Sequence, residues 1–106
     1  MIISGGENVY PVEVENVISG HPDVLDVAVI GVPDDRWGEA VKAVVVTRNG
    51  TSPAPDAIIE FCRGKLGGFK IPKSVDFIEA IPRNASGKIT KNPLREKYWA
   101  GRARKI

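Results

Sequence analysis

Val24-Leu25-Asp26-Val27-Ala28-Val29-Ile30-Gly31-Val32 and, beyond Pro33-Asp34-Asp35, Val41-Lys42-Ala43-Val44-Val45-Val46-Thr47 are the stretches whose reading decides the fold. Both are rich in valine and isoleucine, which fit a pleated, buried surface, so each predicts a strand. The Pro-Asp-Asp run between them predicts a loop. Upstream, Pro11 suits a first helical position, Val14, Val17 and Ile18 share one helix face, and Gly20 is a stop, giving a short helix over about 11–19. Downstream, Asn49-Gly50 can turn the chain, while Pro53 and Pro55 argue against a hairpin partner and for entry into a helix. Ile58, Phe61, Cys62 and Leu66 mark that helix's buried stripe, and Gly67-Gly68 is its expected end. Lys73 to Glu79 alternates Val75 and Phe77 with Asp76 and Ile78, the pattern of another strand. Thr90 as a cap, Pro93, Leu94 and Tyr98 predict a terminal helix to about residue 100. The expected fold is α+β: a small mixed or antiparallel sheet of about three main strands flanked by three helices.

The 106 residues, 42% hydrophobic, suit one domain. No stretch approaches the roughly 18 apolar residues of a membrane span, and the N-terminus lacks a signal-peptide pattern, so the expectation is a cytoplasmic protein without a membrane span. Cys62 is the only cysteine and His21 the only histidine, which excludes an internal disulfide and a structural zinc site built on them; Cys62 reads as small core packing. Asn49-Gly50-Thr51 and Asn84-Ala85-Ser86 match the glycosylation acceptor pattern but read as ordinary turns. The net charge of +2 hides an asymmetry. Residues 1–62 hold three basic and ten acidic side chains, whereas residues 63–106 hold twelve basic and three acidic. A basic block of this kind faces nucleic acid, faces nucleotide phosphates, or is a solvated surface ending in a frayed tail, here Arg102, Arg104 and Lys105. A basic nucleic-acid-binding module or a stand-alone interaction module is therefore the alternative reading, with charge as its support and no aromatic interleaving or nucleic-acid motif.

Ile81-Pro82-Arg83-Asn84-Ala85-Ser86-Gly87-Lys88-Ile89 concentrates turn formers around one lysine. Lys88 would ride on a loop, its ammonium a compact charge with three donors suited to phosphate or carboxylate oxygens. Taken alone it reads equally as a solvated lysine at a hairpin tip. It is not the lysine of a Gly-x-x-x-x-Gly-Lys-Ser/Thr phosphate loop, because Pro82 stands where the first glycine belongs and Ile89 where the magnesium-binding hydroxyl belongs. Arg83 and Lys91 would add positive potential or be solvated flanks.

Four stretches in order carry a resemblance: Ile2 through Ser4-Gly5-Gly6-Glu7-Asn8-Val9-Tyr10-Pro11 to Glu15; Val32-Pro33-Asp34 through Trp37-Gly38-Glu39; Phe69-Lys70-Ile71-Pro72-Lys73; and Ile81-Pro82-Arg83 through Ser86-Gly87-Lys88-Ile89. Together they resemble the small C-terminal domain of adenylate-forming acyl-CoA synthetases, the mobile lid of those enzymes. The resemblance implies that residues 1–106 are that domain, beginning just after the interdomain hinge, and that a large N-terminal domain is its partner. It implies an acid–thiol ligase in which a carboxylic acid and ATP give an acyl-adenylate and diphosphate; the small domain then rotates and the CoA thiol attacks. Lys88 matches the lysine that serves adenylation. Ser4, Gly5 and Gly6 match the loop bordering the CoA arm after rotation, the glycines also reading as a tight turn before the helix at Pro11. Phe69 and Lys73 match positions that meet the CoA nucleotide; Ile71 stands where relatives can have a basic residue, with Lys70 a possible substitute, and Phe69 reads equally as core packing. Glu7 and Glu13 read as local structure near a helix start, and Trp37, Gly38 and Glu39 as shaping the loop between the strands. ATP and CoA are substrates on this reading, magnesium would be held by the large domain, no metal site belongs to this chain, and the isolated domain would be inactive. Fatty or related carboxylic acids are the expected substrates.

Overall fold

In a computed structural model, residues 1–36 and 38–99 are described; Trp37 and residues 100–106 lie outside them, and with them the readings made of Trp37 and of the basic tail. Two long antiparallel strands, β3 (Val24–Asp34) and β4 (Gly38–Thr47), form the spine. Pairing runs from Val24 opposite Thr47 to Asp34 opposite Gly38, so Pro33-Asp34 belongs to the strand and not to the expected loop, and β4 begins three residues before Val41. Between Val24 and Asp26 the register shifts, with Leu25 as the extra residue of a β-bulge.

Two strands absent from the sequence reading complete one edge. β1 (Ile2–Ser4) and β2 (Glu7–Val9) form a two-residue hairpin, Ser4 opposite Glu7, and Ser4 pairs with Gly38 of β4. Gly5 and Gly6 have φ of 59° and 84°, the paired positive values that a type I′ turn requires. Further along the same side of β4 lies β5 (Ser74–Phe77), parallel to it with Lys42 opposite Ser74. The sheet is thus mixed and five-stranded, in the order β2-β1-β4-β3 with β5 also on β4.

Helices cover both faces. Val14 and Ile18 of α1 (Pro11–Ile18) and Ile58 and Cys62 of α2 (Pro55–Cys62) pack with Ile2, Val27, Val29, Val41, Val45 and Val75 on one face. Leu94 of α3 (Asn92–Trp99), with Ile81, Ile78, Ile89 and Tyr98, covers Ala28, Ile30, Val44 and Val46 on the other. A strand buried on both faces loses its polar alternation, which is why β3 and β4 read as near-continuous apolar runs. Each fully buried Val or Ile contributes roughly 1.5–3 kcal/mol. Both α1 and α2 open on a proline at the first helical position, as expected. The second helix stops at Cys62, earlier than Gly67-Gly68: Arg63 is already extended and Gly64 takes φ 80°, so the stop lies there. Leu66 still reaches the core from the following turn. The last helix starts at Asn92, two residues past Thr90.

Candidate functional site

Lys88 is exposed on a small hairpin closed by an antiparallel bridge between Arg83 and Ile89. Three kinds of contact shape its tip. The Asn84 and Lys88 backbones join (N···O 2.9 Å), and Gly87, at φ 86°, donates its N–H to the Asn84 carbonyl at 3.0 Å. The Asn84 side-chain oxygen accepts from the N–H groups of both Ser86 and Lys88, each at 3.0 Å, an Asx arrangement that fixes the turn. The Arg83 guanidinium then spans two acceptors, the Gly87 carbonyl at 2.8 Å and Asp26 Oδ2 on β3 at 2.6 Å. Among the described residues no ion pair engages the Lys88 ammonium. The base of Lys88 is therefore tied down while its cationic end is available to a ligand.

Ser4, Gly5, Gly6, Phe69 and Lys73 lie elsewhere. Gly5 and Gly6 form the exposed tip of the β1–β2 hairpin, and Ser4 beneath them is buried against the start of β4. Phe69 sits in a short 3-10 turn (Gly68–Lys70) that packs against β2, and it is 41% exposed. Core packing is thus not its role. Ile71 instead packs against the core, and the Lys73 N–H donates to the Val41 carbonyl at 2.8 Å while its side chain is exposed. Lys70, the possible phosphate substitute, is paired with Glu13 at 2.8 Å.

The strand spine sets these groups apart. The Lys88 hairpin is fastened at Asp26, opposite Val46, whereas the Gly5-Gly6 hairpin is fastened at Gly38, opposite Asp34. Eight residues of extended chain separate the two anchor points, about 25 Å. Lys73 leads into β5 beside Val41 and Lys42, while Phe69 lies in the 3-10 turn that packs against β2.

Three further features had no clear signal in the sequence. Lys42 is buried yet pairs with Asp76 (3.2 Å), which also accepts a short hydrogen bond from the Tyr98 hydroxyl. The Tyr98 hydrogen bond, then Lys42, hold the Asp76 carboxyl below its ordinary range against the opposing effect of burial, while burial and then Asp76 push the Tyr98 hydroxyl up. This group binds α3 to β4 and β5. Glu15 accepts the Val29 N–H on the outer edge of β3 at 2.9 Å and pairs with Lys91 at 2.9 Å, so Lys91 is neither a free cation nor a solvated flank. Finally, the Glu13–Lys70, Glu15–Lys91, Asp26–Arg83 and Glu60–Arg63 ion pairs each join an acid of residues 1–62 to a base of residues 63–106. Acids of the first part thus offset four of the twelve basic residues on whose charge a nucleic-acid reading rested. Cys62 is buried, and burial pushes its thiol up, away from nucleophilic reactivity. No group of three His, Cys, Asp or Glu among the described residues is placed to hold a metal ion, and no described helix is long and apolar enough to cross a membrane.

Comparison with known proteins gives one answer. Residues 13–88 match the AMP-binding enzyme C-terminal domain. Relatives include a fatty acid–[acyl-carrier-protein] ligase from Streptomyces coeruleorubidus, 48% identical over 99% of this chain and 20% of its own length. A long-chain-fatty-acid–CoA ligase from Mycobacterium tuberculosis is 55% identical over 94% of this chain and 20% of its own. Among solved structures, ATP-bound MatB from Rhodopseudomonas palustris superposes with a TM-score of 0.88 at 45% identity, over 92% of this chain and 20% of that one. The chain thus spans about a fifth of the length of the curated relatives it matches.

Proposed function

The chain belongs to the AMP-binding enzyme C-terminal domain family, and from that premise we propose that it is the small domain of an ATP-dependent acyl-CoA ligase, working on a large N-terminal domain of the same enzyme. In the first half-reaction a carboxylate oxygen attacks the α-phosphorus of ATP, forming an acyl-adenylate and releasing diphosphate. In the second, the CoA thiol attacks the acyl carbonyl, forming the thioester and releasing AMP, with the thiol proton passing to solvent.

The observation that carries the reading is the separation of two built ends on one rigid strand pair. At one end Lys88 offers, on a fastened base, an ammonium that no ion pair among the described residues engages. A cation between the acid and the triphosphate relieves the repulsion of two like-charged reactants, most of all where charge moves in the transition state. At the other end the Gly5-Gly6 turn carries no side chains and lets a thin thiol-bearing arm approach backbone closely, with Phe69 and Lys73 supplying a stacking face and a phosphate-attracting charge. Hairpins whose anchor points on the strand pair lie about 25 Å apart serve one reaction centre in turn if the domain rotates between the half-reactions. Fatty or related carboxylic acids are the proposed substrate class, in keeping with the relatives' names. Magnesium accompanying ATP would, on this reading, be held by the large domain. ATP and CoA as substrates agree with the cytoplasmic location expected from the sequence.

Lys88→Ala in the complete ligase should slow adenylation by about 10²–10³-fold, read as ATP–diphosphate exchange, and leave thioester formation from supplied acyl-adenylate near the parental rate. Equal loss in both half-reactions would refute the assignment.

A further inference from the structure

Arg83 precedes Lys88 by five residues, and a free guanidinium there would be a natural second contact for phosphate. Its geometry directs it inward instead. One nitrogen meets Asp26 Oδ2 at 2.6 Å and another meets the carbonyl of Gly87, the residue before Lys88, at 2.8 Å. Asp26 is itself held, because its Oδ1 accepts the Val27 N–H at 3.0 Å. The bulge at Leu25 explains why Asp26 is available. Val24 and Val27, three residues apart, both pack on the α1–α2 face, whereas Asp26 pairs opposite Val46, whose side chain packs on the α3 face with Ile81 and Ile89. Without the reversal of alternation at Leu25, a strand could not present Val24 to one layer and Asp26 to the other.

We propose that Arg83 and Asp26 form a positioning clamp for Lys88: Arg83 ties the Gly87 carbonyl to β3 and so fixes where the lysine stem leaves the hairpin, without touching nucleotide. This rests on the reading of Lys88 as the adenylation lysine. A flexible four-carbon stem reaches its target reproducibly only from a fixed base, and a misplacement of about 1 Å can cost as much as 10²-fold in rate. Asn84 shapes the turn locally, whereas the Arg83–Asp26 contact is the side-chain bond that, among the described residues, anchors the turn to the sheet.

The test uses the complete ligase, with ATP–diphosphate exchange for adenylation and thioester formation from supplied acyl-adenylate for the second half. Arg83→Ala and Asp26→Ala should each lower the adenylation kcat by about 10- to 100-fold, with little change in KM for ATP and little effect on thioester formation. Asp26→Asn, which keeps size, should follow Asp26→Ala and guards against a fold defect. Arg83→Lys should recover only part of the rate, since one ammonium lacks the fork that serves both acceptors. The double variant Arg83→Ala, Asp26→Ala should be no worse than either single, and Arg83→Ala should add little to Lys88→Ala, the non-additivity of residues acting as one unit. A loss with Arg83→Ala but not with either Asp26 variant would overturn the clamp, as would full additivity with Lys88→Ala or unchanged adenylation in all the clamp variants. If Lys88→Ala itself spared adenylation, the reading of Lys88 would fall and the clamp with it, an outcome distinguishable from failure of the clamp alone.

Discussion

The Gly5-Gly6 hairpin and the Lys88 hairpin are alike in size and in dependence on glycine, yet they are held in different ways. The first is a minimal type I′ turn, joined to the domain through the β1–β2 ladder, one pairing between Ser4 and Gly38, the Glu39 carboxylate that accepts the Ile3 N–H, and the buried Ile2 and Val9. The second has a single strand-like bridge and is fastened by side chains: Asn84 within the turn, Arg83 and Asp26 across to β3. The difference follows from what each must present. A turn that offers backbone needs its dihedral angles and little else. A turn that offers a lysine must define where a long side chain begins, and for that the backbone bridge is supplemented by directional, charge-assisted bonds.

The largest expected effect that sharpens this contrast is Lys88→Ala, about 10²–10³-fold in adenylation alone. A smaller effect belongs to the opposite end. Phe69→Ala removes an exposed ring that contributes little to the core, so thermal stability should hardly move, while KM for CoA in the thioester half-reaction should rise about tenfold. Adenylation should be unchanged; a fall there would break the division between ends. The smallest effect concerns α3, which follows the Lys88 hairpin and is bound through Tyr98 to Asp76. Because Asp76 is held below its ordinary range, its contribution to stability is fully present above the unfolded value, about 4, and is lost as pH falls through the lower folded value. Melting temperatures of the parent and Asp76→Asn should therefore differ at pH 7 and converge under strongly acidic conditions. A difference that persists at low pH would assign the effect to packing rather than charge.

Much of this fold was legible in the sequence because its central elements are long or strongly patterned. The valine-rich runs marked β3 and β4, and the proline-led helices announced their starts. β1 and β2 escaped because three-residue strands carry no measurable period, and their glycines fit a simple turn as well as a hairpin. The end of α2 was misplaced since two glycines at 67 and 68 are a louder signal than Gly64, whose positive φ ends the helix. Of the candidate site, Lys88 and its turn formers could be read from local chemistry, but their role came from resemblance. Arg83 and Asp26 lie 57 residues apart, and nothing in either neighbourhood joins them before the chain folds. The same holds for Lys70 and Glu13, also 57 apart, whose pairing removed Lys70 from the expected phosphate contacts.

The central claim, that the two ends serve different half-reactions, is tested most directly by giving both the same small injury. Gly6 and Gly87 have φ of 84° and 86°, and at neither would an added methyl meet any atom within 4 Å. Alanine at either position therefore introduces backbone strain of about 1–2 kcal/mol and no clash. Both half-reactions should be timed in the complete ligase for each variant. Gly87→Ala should slow adenylation and spare thioester formation, while Gly6→Ala should do the reverse. Loss of the same half-reaction in both variants, or equal loss of both halves in either, would contradict the account.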